Sequence, residues 1–419
     1  MTTDSFLCFS GLFLLLFAAP FVVRGDTAGV ATQWRSLSHV QRTLGVTNYL
    51  WNGESLCFSN TQNVIRFYPG RRKAEVNGTV VWLNAPADGS VADGNWRLAG
   101  TDLDLLQLAI LTPPGGTLKP LRVLLDPGHG GDDEGARCSS PLVKEKDLTL
   151  TLAKRIGAQL KKAGLHVDYT RTRDVTLSLD ERARIARTKK ADLFISIHAN
   201  HAGNREACGV ETYVLPPSGY PGTAEGSRAR GWQLGNRNDF HNTLLGFSIH
   251  RLLASTPETV DRGLKRQSFF VLRETCCPAV LLEFGFLSNT GETRRMLRAD
   301  WQAQSCAAVV DGVLAYVRGV PALDRAVADK RARDAEANER WRKHLATQAA
   351  RAKAEAEARA ARQLAAIMPA GAPPPSTAPG TTFSNAVASV TPPIQQQGTN
   401  SVPSRMDALL EFYAPDKVQ

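Results

Sequence analysis

Three side chains stand where an apolar run stops. LRVLLDPGH (121–129) delivers His129, DLFISIH (192–198) delivers His198, and AVLLE (279–283) delivers Glu283. A single histidine at a strand end is usually an ordinary hydrogen-bonded residue. A carboxylate directly after AVLL is harder to dismiss, because burying it unpaired is costly and it then needs a cation, a proton or a metal. Two imidazoles and a carboxylate around one open position describe a catalytic zinc site. The helical zinc motif HExxH is absent, so the ligands must come from separate strands and loops. A phosphate loop is excluded: GHGG (128–131) lacks the third glycine of GxGxxG and the lysine of a P-loop.

Such residues need a scaffold that gathers strand ends. Residues 120–320 supply one. LRVLLD, LHVDYTR, ADLFISIHAN, VETYVL and AVLLEFGF read as strands, and the spans 148–164, 178–190, 239–255 and 301–319 have helical spacing. The alternation predicts an α/β fold, a mostly parallel or mixed sheet flanked by helices, with ligands collecting at the carboxyl ends of the strands.

Residues 32–115 alternate short β-prone runs with turn signals at Asn77-Gly78 and Asp93-Gly94, which predicts a small β-rich, stalk-like domain acting as a spacer or packing module. Residues 321–368 are rich in Ala, Arg and Glu and read as a long charged, solvated helix; 369–419 read as a disordered Pro-rich tail. Phe6 to Val23 is apolar and uncharged, so residues 1–31 read as a secretory signal peptide or an uncleaved membrane anchor. Either places the remainder outside the cytoplasm, in the periplasm or cell envelope. The net charge is +10, with basic residues dispersed and no basic block interleaved with aromatics. That argues against nucleic acid and suits an acidic polymer. Of seven cysteines, six lie beyond the N-terminal segment and none forms CxxC.

Taken together, LLDPGHGGDDEGA, VKEKDLTLTLAKRI, TRTRDVTLSLDERARIA, ADLFISIHANHA, GVETYVL, DRGLKRQSFFVLRE and PAVLLEFGFLSN occur in an order that resembles the zinc-dependent N-acetylmuramoyl-L-alanine amidases, which cut bacterial cell-wall peptidoglycan. The resemblance covers nearly half the chain. It implies a phosphorylase/hydrolase-like α/β domain, a zinc ion held by His129, Glu145 and His198, and Glu283 as general base toward the water that zinc activates. Glu145 is a ligand only through this pattern; by itself KEKD (144–147) is a solvated charge cluster. A zinc carboxypeptidase-type hydrolase and a non-catalytic peptidoglycan-binding regulator are the alternatives.

Further expectations follow from the same reading. Gly128, Gly130 and Gly131 take backbone angles closed to other residues and leave room for the glycan-linked amide. Asp126 either orients the His129 ring or shapes the turn. His201 is an exposed loop residue. Cys138 and Cys208 brace the rim as a disulfide. Arg262, Lys265 and Arg273 contact carboxylates of the stem peptide or form a solvated basic surface. The long segment Pro216 to Asn238 is a lid or substrate-binding loop, of the sort a protein activator moves aside in some relatives.

Overall fold

The computed structural model describes residues 32–46, 48–111, 115–224 and 226–367. They divide into two units, residues 1–338 and 339–419. The expected signal or anchor and the Pro-rich tail lie outside the described residues.

In the first unit, β1 (Trp34–Ser36) runs into α1 (Leu37–Leu44). Ser36 caps that helix by accepting from the His39 N–H, and Gly45 ends it in the left-handed region. Five antiparallel strands follow: β2 (Asn48–Trp51), β3 (Leu56–Ser59), β4 (Val64–Phe67), β5 (Lys73–Val76) and β6 (Thr79–Trp82). Asn77 and Gly78, the two residues between β5 and β6, both have positive φ, as the sequence signal requires. The inner face packs Phe58, Phe67 and Trp96 ring against ring at 5.5 to 5.9 Å. Strand β7 (Arg97–Ala99) pairs back onto β1, and α2 (Gly100–Leu105) leads toward the second half.

The second half is built from β8 (Arg122–Pro127), the hairpin β9 (Arg137–Ser139) and β10 (Leu142–Lys144), α3 (Glu145–Lys162), β11 (His166–Tyr169), α4 (Leu179–Thr188) and β12 (Leu193–Asn200). Then come β13 (Val210–Val214), α5 (Asp239–Leu253), β14 (Asp261–Arg266), α6 (Phe270–Arg273), β15 (Ala279–Phe286), α7 (Thr290–Leu297) and α8 (Ala299–Ile367). The sheet is mixed, as expected: β11, β8, β12 and β15 are parallel, whereas β13 runs antiparallel to β15. Strand β14, not anticipated from its sequence, pairs parallel to β13.

One eleven-stranded sheet, in the order β11-β8-β12-β15-β13-β14-β6-β5-β4-β3-β2, contains both halves. The join is β14 to β6, with Leu264 opposite Val81. Strands β2 to β6 therefore extend the sheet edge to edge, as a packing module does and a separate spacer does not.

Alternation sorts side chains to two faces. Val123, Leu125, Ile195, Ile197, Val280 and Leu282 join one core with buried residues of α3, α5 and α8. Leu124, Phe194 and Leu281 join the other, with Ala186 of α4 and Val271 and Leu272 of α6. Full burial of such side chains is worth about 1.5–3 kcal/mol each.

The closing helix and the charged helix, read separately, are one helix interrupted by no gap: Pro321 lies inside α8. Proline lacks the N–H of the helical ladder. Nearby, the Arg318 carbonyl accepts the Gly116 N–H at 2.7 Å, tying the segment before β8 to this part of the helix. In the second unit, residues 339–363 are exposed along their length, and Trp341 stacks on His344 with ring centroids 5.6 Å apart. That is the solvated helix its composition predicts.

Candidate metal centre

Strand β8 ends at Pro127, and His129 then adopts a left-handed conformation with φ 60°. That conformation is uncommon for a residue with a β-carbon and must be held by its surroundings. Two buried arginines hold it. Arg182 donates to the Pro127 carbonyl at 2.8 Å and to the His129 carbonyl at 2.7 Å. Arg171 donates to the Pro127 carbonyl at 3.0 Å and the Gly128 carbonyl at 2.8 Å. Three successive carbonyls that a turn would leave unpaired are thus satisfied.

Strand β12 carries His198 beside this turn, and its ring lies 5.1 Å from that of His129, nearly perpendicular to it. A β-carbon at Gly128 would overlap the His198 ring, so the close approach of turn and imidazole requires glycine there. Glu145 is the first residue of α3, buried, and lies between the two rings. Its Oε2 is 3.1 Å from His129 Nε2 and its Oε1 is 2.9 Å from His198 Nδ1. Ligand atoms of all three lie within 4.8 Å of one another. Burial by itself would raise the Glu145 pKa, but hydrogen bonds and charge from His129 and His198 outweigh it and hold the carboxylate well below the usual range.

KEKD is therefore no solvated patch. The helix start turns inward, Glu145 to the histidines and Lys146 to the Gly131 carbonyl and Asp174, each at 2.7 Å. The hairpin loop closes over it: the Ala136 N–H donates to Glu145 Oε2 at 2.8 Å. Gly135, at φ 67°, makes room, since a β-carbon there would lie 2.6 Å from both Glu145 Oε2 and His129 Cδ2.

The second nitrogen of His129, Nδ1, is 2.8 Å from Asp133 Oδ2. A carboxylate on the far nitrogen fixes a metal-binding imidazole in orientation and tautomer. Asp133 fills the role considered for Asp126. Asp126 instead lies beneath the turn, bound by Arg182 at 2.6 Å, Thr170 at 2.7 Å and Ser196 at 2.8 Å. Asp126 is paired with Ser196 one residue before the strand ends, and the two side chains meet in the buried layer.

Glu283 lies in register with His198 on the neighbouring strand, and with Glu211 on the strand beyond. The three share one sheet face. Glu283 is buried and its Oε2 meets no hydrogen-bond partner among the described residues. Burial, with the charges of Glu145 and Glu211, pushes its pKa well up; Lys265 partly opposes this. A carboxyl in this state is suited to exchanging a proton with a reactant.

Glu211 is also buried, yet fully partnered. It accepts from Arg262 at 2.6 Å, Lys265, Tyr213 at 2.6 Å and Asn200 at 3.0 Å. The solvated basic surface is thus corrected for Arg262 and Lys265, which turn toward an unanticipated carboxylate. Arg273, on α6, donates to Glu274.

Two rim expectations are overturned. Strand β13 starts level with Glu283 and runs away from the cluster of His129, Glu145 and His198. Its exit, Pro216 to Asn238, consequently lies at the opposite end of the sheet and is no lid. Tyr220 bonds Thr101 there, and Asn238 bonds the Cys276 carbonyl. Cys138 and Cys208 are both free thiols, Cys138 because β9 turns it into the hydrophobic core. His201 is exposed, as expected.

The donor set fits zinc: two imidazole nitrogens, one carboxylate, an outer carboxylate on one histidine, and an orphaned buried carboxyl oxygen at the next strand. Asp133, Gly135, Arg171, Arg182 and Glu211 escaped the sequence reading. Only the arginines left a trace there, as charged residues inside otherwise periodic segments.

The N-acetylmuramoyl-L-alanine amidase family model matches residues 123–315. An uncharacterized protein of Bacillus subtilis, YqiI, is 33% identical over 224 residues, covering 52% of this chain and 98% of that one. The N-acetylmuramoyl-L-alanine amidase LytC of the same organism is 32% identical over 196 residues, covering 47% of this chain and 35% of LytC. The solved catalytic domain of CwlV, an N-acetylmuramoyl-L-alanine amidase from Bacillus (Paenibacillus) polymyxa var. colistinus, shares 32% identity, covers 46% of this chain and 96% of its own, and gives a TM-score of 0.39.

Proposed function

The chain belongs to the N-acetylmuramoyl-L-alanine amidase family, and on that premise we propose that His129, Glu145 and His198 hold a zinc ion beside which Glu283 acts as general base. The reaction is hydrolysis of the amide joining N-acetylmuramic acid to L-alanine in peptidoglycan. Zinc supplies Lewis acidity, polarising the scissile carbonyl and acidifying water. The protein does the rest. Glu145 and the two imidazoles hold their donor atoms in one cluster, and Asp133 keeps His129 in a single tautomer. Arg171 and Arg182 keep the turn that carries His129 from relaxing.

Glu283 takes a proton from the attacking water and returns one to the departing alanine nitrogen. Its unpartnered Oε2 is the atom free to do so. The observation that carries this reading is the register of His198 with Glu283, which sets an unpaired buried carboxyl one strand from the ligand cluster. A peptidoglycan substrate places the working protein in the cell envelope.

The test is digestion of purified peptidoglycan with mass analysis of the products. Stem peptides with a free alanine amino terminus are expected, and chelator should abolish their release until zinc is returned. Loss of terminal D-alanine without such peptides would identify a carboxypeptidase; intact sacculi would identify a binding module.

A further inference from the structure

Arg262 is tethered at one atom and open at two. Its Nε donates to Glu211 at 2.6 Å, and its guanidinium lies over the Phe286 ring, 4.9 Å from the centroid. Among the described residues Nη1 and Nη2 meet no acceptor, and the side chain is 36% exposed. A guanidinium fixed by one nitrogen and a ring, with its paired N–H groups outward, is a preformed receptor for a carboxylate. Lys265 balances the charge of Glu211 on its own, which leaves the Arg262 charge in excess.

Its position follows from the sheet. Arg262 belongs to β14, two strands from Glu283, across β13. Two strand spacings are about 10 Å, the reach of about three extended residues. What lies that far from the scissile amide is either glycan or stem peptide. Uncharged sugars offer a guanidinium only neutral acceptors, whereas the stem peptide carries free carboxylates, which pair with it more strongly and through two oxygens.

The N-terminal strands hold Arg262 in place. Trp82 of β6 donates its indole N–H to the Arg262 carbonyl at 3.0 Å. The Val80 N–H donates to Asp261 at 2.9 Å. The indole lies so close over Gly263 that a β-carbon there would come within 2.7 Å of it. The half of the chain that carries no catalytic side chain thus fixes the backbone on which this guanidinium stands.

Building on the amidase reading, we propose that Arg262 receives a free carboxylate within the first few residues of the stem peptide, and that Trp82 is the positioning residue that aims it. The extension of the catalytic sheet by residues 32–115 then has a role in substrate recognition.

The test compares two soluble muropeptides that differ only in having their stem carboxylates free or amidated. Arg262→Lys keeps a cation for Glu211 but loses the paired N–H groups, so fold and zinc content should be retained. KM for the free-carboxylate substrate should rise about tenfold or more, with kcat within about twofold, and KM for the amidated one should not move. Trp82→Phe should shift KM in the same direction by less. Equal changes on both substrates, or none on the first, overturn the proposal alone, provided the wild type cleaves both. A wild type that releases no alanine-terminated peptide from either overturns the amidase reading and this inference with it.

Discussion

Glu283 and Glu211 stand directly opposite each other on the antiparallel pair β15 and β13, two buried carboxylates on one face. Like charges in that position repel. The structure resolves the conflict asymmetrically: Glu211 takes Arg262, Lys265 and Tyr213, and Glu283 is left without a partner on Oε2.

Glu283→Gln should therefore separate activity from stability. Zinc stoichiometry should be unchanged and hydrolysis should fall by about 100-fold or more. In metal-free protein the variant should be more stable. The folded pKa of Glu283 is raised, so its carboxyl costs nothing below the unfolded pKa of about 4.3 and an increasing amount above it. The gain from glutamine should be absent near pH 4 and grow toward neutral pH. Thermal unfolding in chelator at both pH values measures it; an equal gain at each would contradict the account.

Lys265 and Glu211 pull Glu283 in opposite directions. Removing the cation in Lys265→Met should raise the Glu283 pKa further and move the acid limb of kcat/KM to higher pH. Glu211→Gln should move it to lower pH. A pH–rate series on the three proteins reads both, and limbs that do not diverge would remove Glu283 as the titrating base.

Asp133 and Asp126 should fail differently. Asp133→Asn loosens only the His129 ring, so zinc affinity should drop by about 10–100-fold and excess zinc should restore activity. Asp126→Asn leaves Arg182 buried without its carboxylate, 2.6 Å away in the native protein. That should cost about 3–5 kcal/mol of stability, and added zinc should not rescue it.

Gly135 and Gly164 offer a matched pair, since both have positive φ. Gly164→Ala meets nothing within 4 Å and should cost about 1–2 kcal/mol of backbone strain alone, with zinc binding intact. Gly135→Ala pays the same strain and also forces a methyl against Glu145 and His129, so zinc affinity should fall as well. Competitive zinc titration distinguishes them.

Thiol labelling tests the cysteine assignment. Cys276 is exposed and should react first with an alkylating reagent. Cys306 is buried and its pKa is pushed up to about 12 by desolvation, so it should react only on unfolding. In denaturant without reductant, Cys138 and Cys208 should both label; resistance of that pair would restore the disulfide.

The strand ends bearing His129, His198 and Glu283 were legible because each apolar run and its polar stop are local features. So were the Asn77-Gly78 turn and the helix that ends before Gly164. Glu145 was legible only through family pattern, because a charged tetrapeptide looks the same whether its helix start faces water or a metal site. Asp133, Gly135, Arg171 and Arg182 act through contacts made across the fold, which leave no spacing to read.

The sequence by itself determined most of the core strands and the longer helices, though not β14, and which polar side chains terminate the core strands. Tertiary structure alone decided direction and adjacency. A strand's period-two pattern is identical read forward or backward, so nothing in VETYVL announces that it runs against its neighbour and carries its exit away from the cluster of His129, Glu145 and His198. Edge pairing between β6 and β14 likewise depends on backbone groups that every residue shares, which is why the union of the two halves into one sheet appears only in the folded chain.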